Sequence, residues 1–211
     1  MIDGEEQVQC RMATRADAQR DRILCAAFSC FIEHGFHAAS MASIAEAAQM
    51  SAGLIYRYFE NKNAIVLAIV DRQLEGKRHA IRAIQSTEQL VDNLVRAFEG
   101  WRSHDKHDAM SVTLMLEMTA EATRNPQMAT ALQRADAVTH AEFENWLCRP
   151  RAQGGAGLSM HLAARRAASI RLVIEGLMIR AAREPDLRSE TLRQALEDVL
   201  TPLLTQEADS G

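Results

Sequence analysis

The residues best suited to chemistry in this sequence lie between Ser51 and Lys62, and they suit hydrogen bonding to nucleic acid. Arg57 is the only long donor of a short helical pattern, and Tyr56 and Tyr58 beside it offer hydroxyl groups and rings. A guanidinium can read base edges in the major groove, whereas a tyrosine can bind a phosphate or cover a thymine methyl group. Gly53 lowers helix stability by about 1 kcal/mol, but it allows a helix to approach a phosphate closely. The residues predicted to contact DNA are Ser40, Met41, Ser51, Ala52, Gly53, Leu54, Tyr56, Arg57, Tyr58 and Lys62.

Two short helical patterns position these side chains. The first runs from about residue 42 to 48 behind Ser40, and the second from about 52 to 58 behind Ser51. A serine before a helix accepts a hydrogen bond from one of its unpaired amides. Helices this short are not stable alone, so they must pack together, with Ile55 and Phe59 pointing inward. Such a pair is typical of a helix-turn-helix, whose second helix enters the major groove.

The same stretch resembles the DNA-binding signature of TetR-family transcriptional regulators. The matching residues are Ala39-Ser40-Met41, Ile44-Ala45, Ala48, Met50-Ser51, Gly53, Ile55-Tyr56, Tyr58-Phe59 and Asn61-Lys62, preceded by Ile23, Ala26-Ala27, Phe31 and Gly35-Phe36. Gln49 stands where the family usually has a glycine, so it must accept the backbone conformation of the turn. The resemblance implies a ligand pocket in a C-terminal helical domain. It also implies that Lys62 and the tyrosines touch the DNA backbone, Lys62 near the positive N-terminus of a long helix.

Composition and charge fit this interpretation. The chain has 211 residues and a formal net charge of −4, yet residues 11–82 hold ten Lys/Arg against seven Asp/Glu. A modestly basic segment within an acidic chain suits one DNA-facing end. No apolar run is long enough to span a membrane, and the acidic start is not a signal peptide, so we expect a cytoplasmic protein.

The remaining pattern predicts an all-α fold. We expect a flexible polar tail over 1–16, a helix-turn-helix DNA-binding domain over 17–60, a linking helix over 61–84 and a ligand-binding and dimerisation domain over 85–211. The first helix is predicted from about Asp17 to His34. The later helices are predicted at about 87–102, 108–124, 126–147, 159–183 and 189–204, with residues 149–157 as a glycine-rich loop.

A small-molecule site is predicted among methionines and aromatic residues after residue 97. Methionine is adaptable and aromatic rings stack, so this mixture suits an apolar or aromatic effector. For any single one of these residues, ordinary core packing is the favoured interpretation. The predicted ligand-binding residues are Phe98, Trp101, Met115, Met118, Phe143 and Trp146.

The last two predicted helices are rich in alanine and leucine, and they predict a homodimer through a four-helix interface. The residues assigned to that interface include Ala163, Ala167, Leu177, Leu196 and Leu200.

These features predict a ligand-responsive repressor that binds a palindromic double-stranded DNA operator as a homodimer. An acyl or lipid-derived ligand is an alternative effector, and a helical interaction module without specific DNA binding is an alternative function. We see no nucleophile–base constellation and expect no enzyme activity, cofactor, metal or membrane partner. The histidines in His104-Asp105-Lys106-His107-Asp108 are interpreted as part of a solvated loop.

Overall fold

A computed structural model of the chain describes residues 3–103, 112–184 and 186–205. These residues form α-helices with one short 3-10 turn and no strand, which confirms the predicted all-α class. The helices are α1 (Asp3–His34), α2 (Met41–Ala47), α3 (Ala52–Tyr58), α4 (Lys62–Arg82), α5 (Thr87–Ser103), α6 (Val112–Ala122), α7 (Pro126–Cys148), α8 (Met160–Arg183) and α9 (Ser189–Leu204).

The first helix begins earlier than the sequence pattern predicted. We expected a start near Asp17 after a polar tail, whereas α1 begins at Asp3. Residues 3–16 contain Gly4 as their only glycine and no proline, and they consist largely of good helix formers. Because helix propensity needs no apolar periodicity, a polar stretch can extend a helix toward its N-terminus.

The chain divides into two compact units, Met1–Val70 and Asp71–Gly211, and α4 runs from one into the other. In the first unit, helices α2 and α3 have seven residues each, so packing must stabilise them. Several apolar side chains of α2 and α3 are almost fully buried, and so are several from α1 and the start of α4. The buried residues of this unit include Ile23, Ala27, Phe31, Ile44, Ala45, Ile55, Phe59 and Ile65.

In the second unit, α8 packs against α5, α6, α7 and α9. The loop between α7 and α8 contains a 3-10 turn (Arg151–Gln153) that ends at Gly154, where φ is 81°. A Cβ atom at Gly154 would lie 2.1 Å from the Gln85 side-chain oxygen, so both the backbone and the close approach require glycine. The loop predicted over residues 149–157 therefore holds a compact turn beside the end of α4.

Within the described part of the chain, no helix is both long and apolar enough to cross a membrane. The predicted His104–Asp108 loop lies outside the described residues.

Candidate DNA-binding site

Helix α2 begins at a reciprocal serine cap. The Ser40 hydroxyl accepts from the Ser43 amide at 3.1 Å, and the Ser43 hydroxyl accepts from the Ser40 amide at 2.9 Å. Such a capping box satisfies two backbone donors that the helix leaves unpaired. Ser40, predicted to contact DNA, therefore has a structural task already, and Met41 beside it is half-buried.

The turn between α2 and α3 contains a left-handed residue. Gln49 has a φ of 52°, and the Met50 amide donates to the Ala45 carbonyl at 2.9 Å. An L-residue in this conformation costs roughly 1–2 kcal/mol, which explains why glycine suits such a turn. Gln49 accepts this backbone, and its side-chain oxygen receives a hydrogen bond of 3.4 Å from Arg22 on α1. The tight corner expected of a helix-turn-helix is therefore present without the glycine.

Helix α3 turns one face to solvent, and we call this the recognition face. It consists of Ala52, Gly53, Tyr56 and Arg57, all exposed, with 54% of Tyr56 accessible. The opposite side carries Ile55, which is fully buried. The i, i+4 and i, i+3 relations of a helix place the four exposed residues together.

The other predicted contacts on α3 lie at its edges. The Ser51 hydroxyl accepts from the Leu54 amide at 3.3 Å and so caps the helix. Leu54 and Tyr58 are half-buried, and Phe59 ends the helix with 3% exposure. The Arg20 guanidinium lies 4.4 Å from the Phe59 ring centroid, so α1 supports the end of α3 by a cation–π contact.

The glycine in α3 has no packing reason within the first unit. A Cβ atom built at Gly53 meets nothing within 4 Å. Glycine inside a helix destabilises it by roughly 0.5–1 kcal/mol relative to alanine, and here the fold gains nothing in return. A surface that approaches α3 closely, such as the expected DNA groove, would account for this residue.

Gly53→Ala is expected to raise the stability of the protein while weakening DNA binding. The gain should be about 0.5–1 kcal/mol in the free energy of unfolding, because the alanine methyl group faces open space and the unfolded chain loses entropy. Urea unfolding and DNA titration of the same preparation measure the two effects. A variant that is more stable and binds DNA as tightly as the wild type would show that nothing approaches α3 at this position.

The ammonium of Lys62, which was predicted to contact a DNA phosphate, is bound by backbone groups of the first unit. Its ammonium donates to the carbonyl oxygens of Phe36, His37 at 3.2 Å and Ala39 at 2.9 Å. It also lies 4.4 Å from the Phe36 ring centroid. Asn61 caps α4 by accepting from the Ala64 amide at 2.9 Å.

The predicted effector residues divide between two places in the second unit. Phe98, Phe143 and Trp146 belong to the main hydrophobic cluster, and half-buried Trp101 packs against it. Met118 is 1% exposed on α6, and Met115 on the same helix is half-buried; neither belongs to that cluster.

Trp146 has a specific polar contact as well. Its indole Nε1 donates to the Gly154 carbonyl at 3.1 Å and thereby fastens the α7–α8 loop to α7. This hydrogen bond stabilises the fold, and it uses the indole N–H that a ligand could otherwise bind.

A surface depression lies between α5 and the start of α9, and its lining is mostly polar. It is lined by Asp92, Val95, Arg96, Glu99, Ser189, Glu190 and Arg193. None of the predicted effector residues is among them, and the Arg193–Asp92 ion pair at 2.6 Å occupies part of it.

A buried carboxylate on α7 was not predicted from the sequence. Glu142 is 7% exposed, and it accepts hydrogen bonds from Arg78 at 2.9 Å and from Arg82 at 2.8 and 2.6 Å. The hydrogen bond from Arg82, followed by that from Arg78, lowers the pKa of Glu142 below its ordinary value. The sequence feature that could have indicated it is the position of Glu142, which lies one residue before Phe143 and four before Trp146 in the apolar stripe of α7. We call this arrangement the Glu142 clamp.

A second contact fixes the same end of α4. The Arg149 guanidinium donates to the Ile84 carbonyl at 3.3 Å and to the Arg82 carbonyl at 3.5 and 3.4 Å. These carbonyls lack helical partners because α4 ends there, so a cation is favourable. Glu142 and Arg149 lie seven residues apart, on one side of α7.

Two family descriptions match this chain. Residues 23–69 match "Bacterial regulatory proteins, tetR family", and residues 90–205 match "BetI-type transcriptional repressor, C-terminal". The first match covers α2, α3 and the turn between them, and the second covers most of the second unit.

Individual proteins are similar as well. The chain is 35% identical over 137 residues to the HTH-type transcriptional regulator UidR of Escherichia coli K12, covering 63% of this chain and 65% of that protein. It is 30% identical over 130 residues to the HTH-type transcriptional activator FasR of Mycolicibacterium smegmatis, covering 61% and 58%. The matched part therefore spans less than two thirds of the length of each of these curated relatives.

A solved structure extends the similarity over most of the fold. GusR of Salmonella enterica superposes with a TM-score of 0.67 at 27% sequence identity, over 87% of this chain and 96% of that one.

Proposed function

Because this chain belongs to the TetR family of transcriptional regulators, we propose that it is a homodimeric repressor that binds a palindromic operator and is released by a small molecule. The recognition face is the observation that carries this proposal. It is exposed, it is held by a capped helix in a tight helix-turn-helix, and it presents small residues beside one long donor. Small residues allow close approach to the groove, and the donor can read bases there.

The predicted contacts differ in the role that we propose for them. Ala52, Gly53, Tyr56 and Arg57 face the groove, and the half-buried Leu54 and Tyr58 border it. Ser40 and Ser51 cap the helices, and Met41 lies at the start of α2. A dimer presents two such faces, which suits a palindrome with half-sites about one helical turn apart.

Arg57→Ala is expected to weaken specific DNA binding and to relax the preference at one base position, by about 1–3 kcal/mol. The guanidinium is exposed and lies on the same face as Gly53, so its loss removes a base contact without disturbing the fold. A duplex selected by the wild-type protein from a random library serves as the probe, titrated at several salt concentrations.

Arg96→Ala is the matched control, because Arg96 is an exposed arginine on α5 in the second unit. Equal affinity of the Arg57→Ala variant and the wild type for the selected duplex contradicts the assigned recognition face. Selection that enriches no sequence favours the alternative, a helical interaction module without specific DNA binding.

We assign the effector to the second unit, with an apolar or aromatic molecule as the first choice. Half-buried Trp101 and Met115, and the buried Phe98, Met118, Phe143 and Trp146, supply adaptable and aromatic surface. An acyl or lipid-derived ligand would use the same surface. A thermal-shift screen with separate aromatic and fatty-acid arms distinguishes them, and a true effector must also lower the affinity for the selected duplex.

The homodimer has support in a stripe of exposed apolar residues on each of α8 and α9. On α8 the stripe contains Ala168, Leu172, Gly176 and Ile179, and on α9 it contains Ala195, Val199 and Pro202. Leu172 is 70% and Val199 47% exposed in a single chain, which is typical of a surface that a partner covers.

A further inference from the structure

We propose that Lys62 is a positioning residue that fixes the helix-turn-helix against α4, and that it is not a ligand of DNA phosphate. This inference rests on the proposed DNA-binding function, but its structural half can be tested without DNA. It reverses the role that the resemblance to the family implied for this lysine.

The geometry around the ammonium carries the inference. Three backbone carbonyls, those of Phe36, His37 and Ala39, converge on the three N–H donors of one Nζ atom. All three acceptors lie in the turn between α1 and α2, and Lys62 as a whole residue is half-buried. The Phe36 ring, which is 3% exposed, covers the cation at 4.4 Å. A side chain bound on several sides must break these contacts to reach a phosphate.

The position of this turn explains why a cation binds there. Helix α1 ends at His34, and Gly35 follows with a φ of 79°. The C-terminal end of a helix carries partial negative charge, and the carbonyls just after it lack helical partners. The ammonium satisfies these acceptors, so Lys62 acts as a cap for α1 that is supplied by α4.

Fixing this turn also fixes the recognition helix. Ala39, whose carbonyl binds the ammonium, immediately precedes the Ser40 cap at which α2 begins. Helix α2 leads through the left-handed Gln49 into α3. A seven-residue helix has little rigidity of its own, so the orientation of α3 depends on the contacts at the start of α2 and at the start of α4.

Two variants of the 211-residue chain test the proposal. Lys62→Met keeps the stem over Phe36 but removes the charge and all donors. Lys62→Arg keeps the charge, yet a planar guanidinium cannot direct its donors at three converging carbonyls as an ammonium does. A phosphate contact, in contrast, is well served by arginine. Arg57→Ala provides the control for a lost DNA contact with an intact fold.

We expect both Lys62 variants to melt roughly 5 °C below the wild type and to bind the selected duplex about tenfold more weakly. The slope of log K against log salt should stay unchanged, because no phosphate contact is lost. The expected control result is weaker DNA binding by Arg57→Ala at an unchanged melting temperature.

Several results overturn the proposal. If the slope of log K against log salt becomes shallower by about 0.9 in Lys62→Met while the melting temperature is unchanged, Lys62 is a phosphate ligand instead. Full rescue of DNA affinity by Lys62→Arg leads to the same conclusion, and so does a wild-type melting temperature in both variants. If the wild type binds no DNA at all, the proposed function fails, whereas the melting temperatures still decide whether Lys62 positions the turn.

Discussion

The double variant Arg78→Met/Arg82→Met is expected to be much less stable than Glu142→Gln, although both disrupt the Glu142 clamp. Glu142 is only 7% exposed, and removing the arginines takes away the two cations that bind its carboxylate. Removing the carboxylate leaves two guanidinium groups whose side chains are 32% and 54% exposed, so water can replace the lost partner. Breaking a buried pair is costly chiefly through the charge that remains buried.

In thermal unfolding we expect the double arginine variant to lose roughly 5–10 °C and Glu142→Gln about half as much. Protein concentration must be held constant, since the proposed dimerisation would contribute to the melting temperature. The triple variant, with Glu142→Leu added to both methionines, should recover most of the loss, because no charge then remains buried. Equal losses in the double variant and in Glu142→Gln contradict this account.

The stabilisation that the Glu142 clamp contributes is expected to decrease at low pH. Hydrogen bonds from Arg82 and Arg78 lower the pKa of Glu142, so the folded state binds its proton less readily than the unfolded state does. The clamp therefore stabilises the fold fully above the unfolded pKa of about 4.3, and this contribution is lost as the pH falls through the lower folded pKa. The difference between wild type and Glu142→Gln should be constant from neutral pH to about 5 and should shrink below about 4.

Much of this fold was predictable because its signals are local. Serine caps, Asn125-Pro126 and the glycine-rich loop predicted helix boundaries that the structure reproduces closely, and α3 and α9 begin and end where expected. The start of α1 was not predictable from apolar periodicity, since a polar helix has none. The left-handed conformation of Gln49 could be predicted from the position of this residue between two helices, but not from its residue type.

The partners of individual charged residues could not be predicted in the same way. Lys62 lies 26 residues from Phe36 in sequence, and Arg78 lies 64 from Glu142, so only tertiary packing brings each pair together. Resemblance to a family indicated that Lys62 matters, but it did not indicate which atoms its ammonium binds. The predicted effector residues show the same limit, because composition does not distinguish a pocket lining from a packed core.

Five residues that the sequence assigned to the dimer surface are buried within a single chain. Ala163, Ala167 and Leu177 of α8 are 0–5% exposed, and Leu196 and Leu200 of α9 are 3% and 0% exposed. All five belong to the hydrophobic cluster within a single chain, so they are not the free apolar surface that an interface needs. Alanine and leucine repeats on a helix identify an apolar face, but they do not indicate whether the same chain or a second copy covers it.

Leu172→Glu is therefore expected to convert the proposed dimer into folded monomers, whereas Leu196→Glu is expected to unfold the chain. A glutamate at Leu172 is solvated in the monomer but would be buried without a partner in a dimer, at a cost of several kcal/mol. At Leu196, which is 3% exposed, the same carboxylate would be buried within the protomer itself. Light scattering and circular dichroism together separate these outcomes.

Met160→Glu is the matched control, because Met160 is 83% exposed on the same helix but lies off the Leu172 stripe. That variant should remain dimeric, and Val199→Glu on α9 should behave like Leu172→Glu. The Leu172→Glu monomer should also bind the palindromic duplex at least about a hundredfold more weakly, since one half-site offers few contacts and the second is no longer linked to it. If the Leu172→Glu protein stays dimeric, the interface lies elsewhere. If the wild type is monomeric at micromolar concentration, the proposed interface does not exist. If Leu172→Glu is monomeric but binds the duplex with wild-type affinity, DNA recognition does not require the dimer, and the proposed palindrome loses its physical basis.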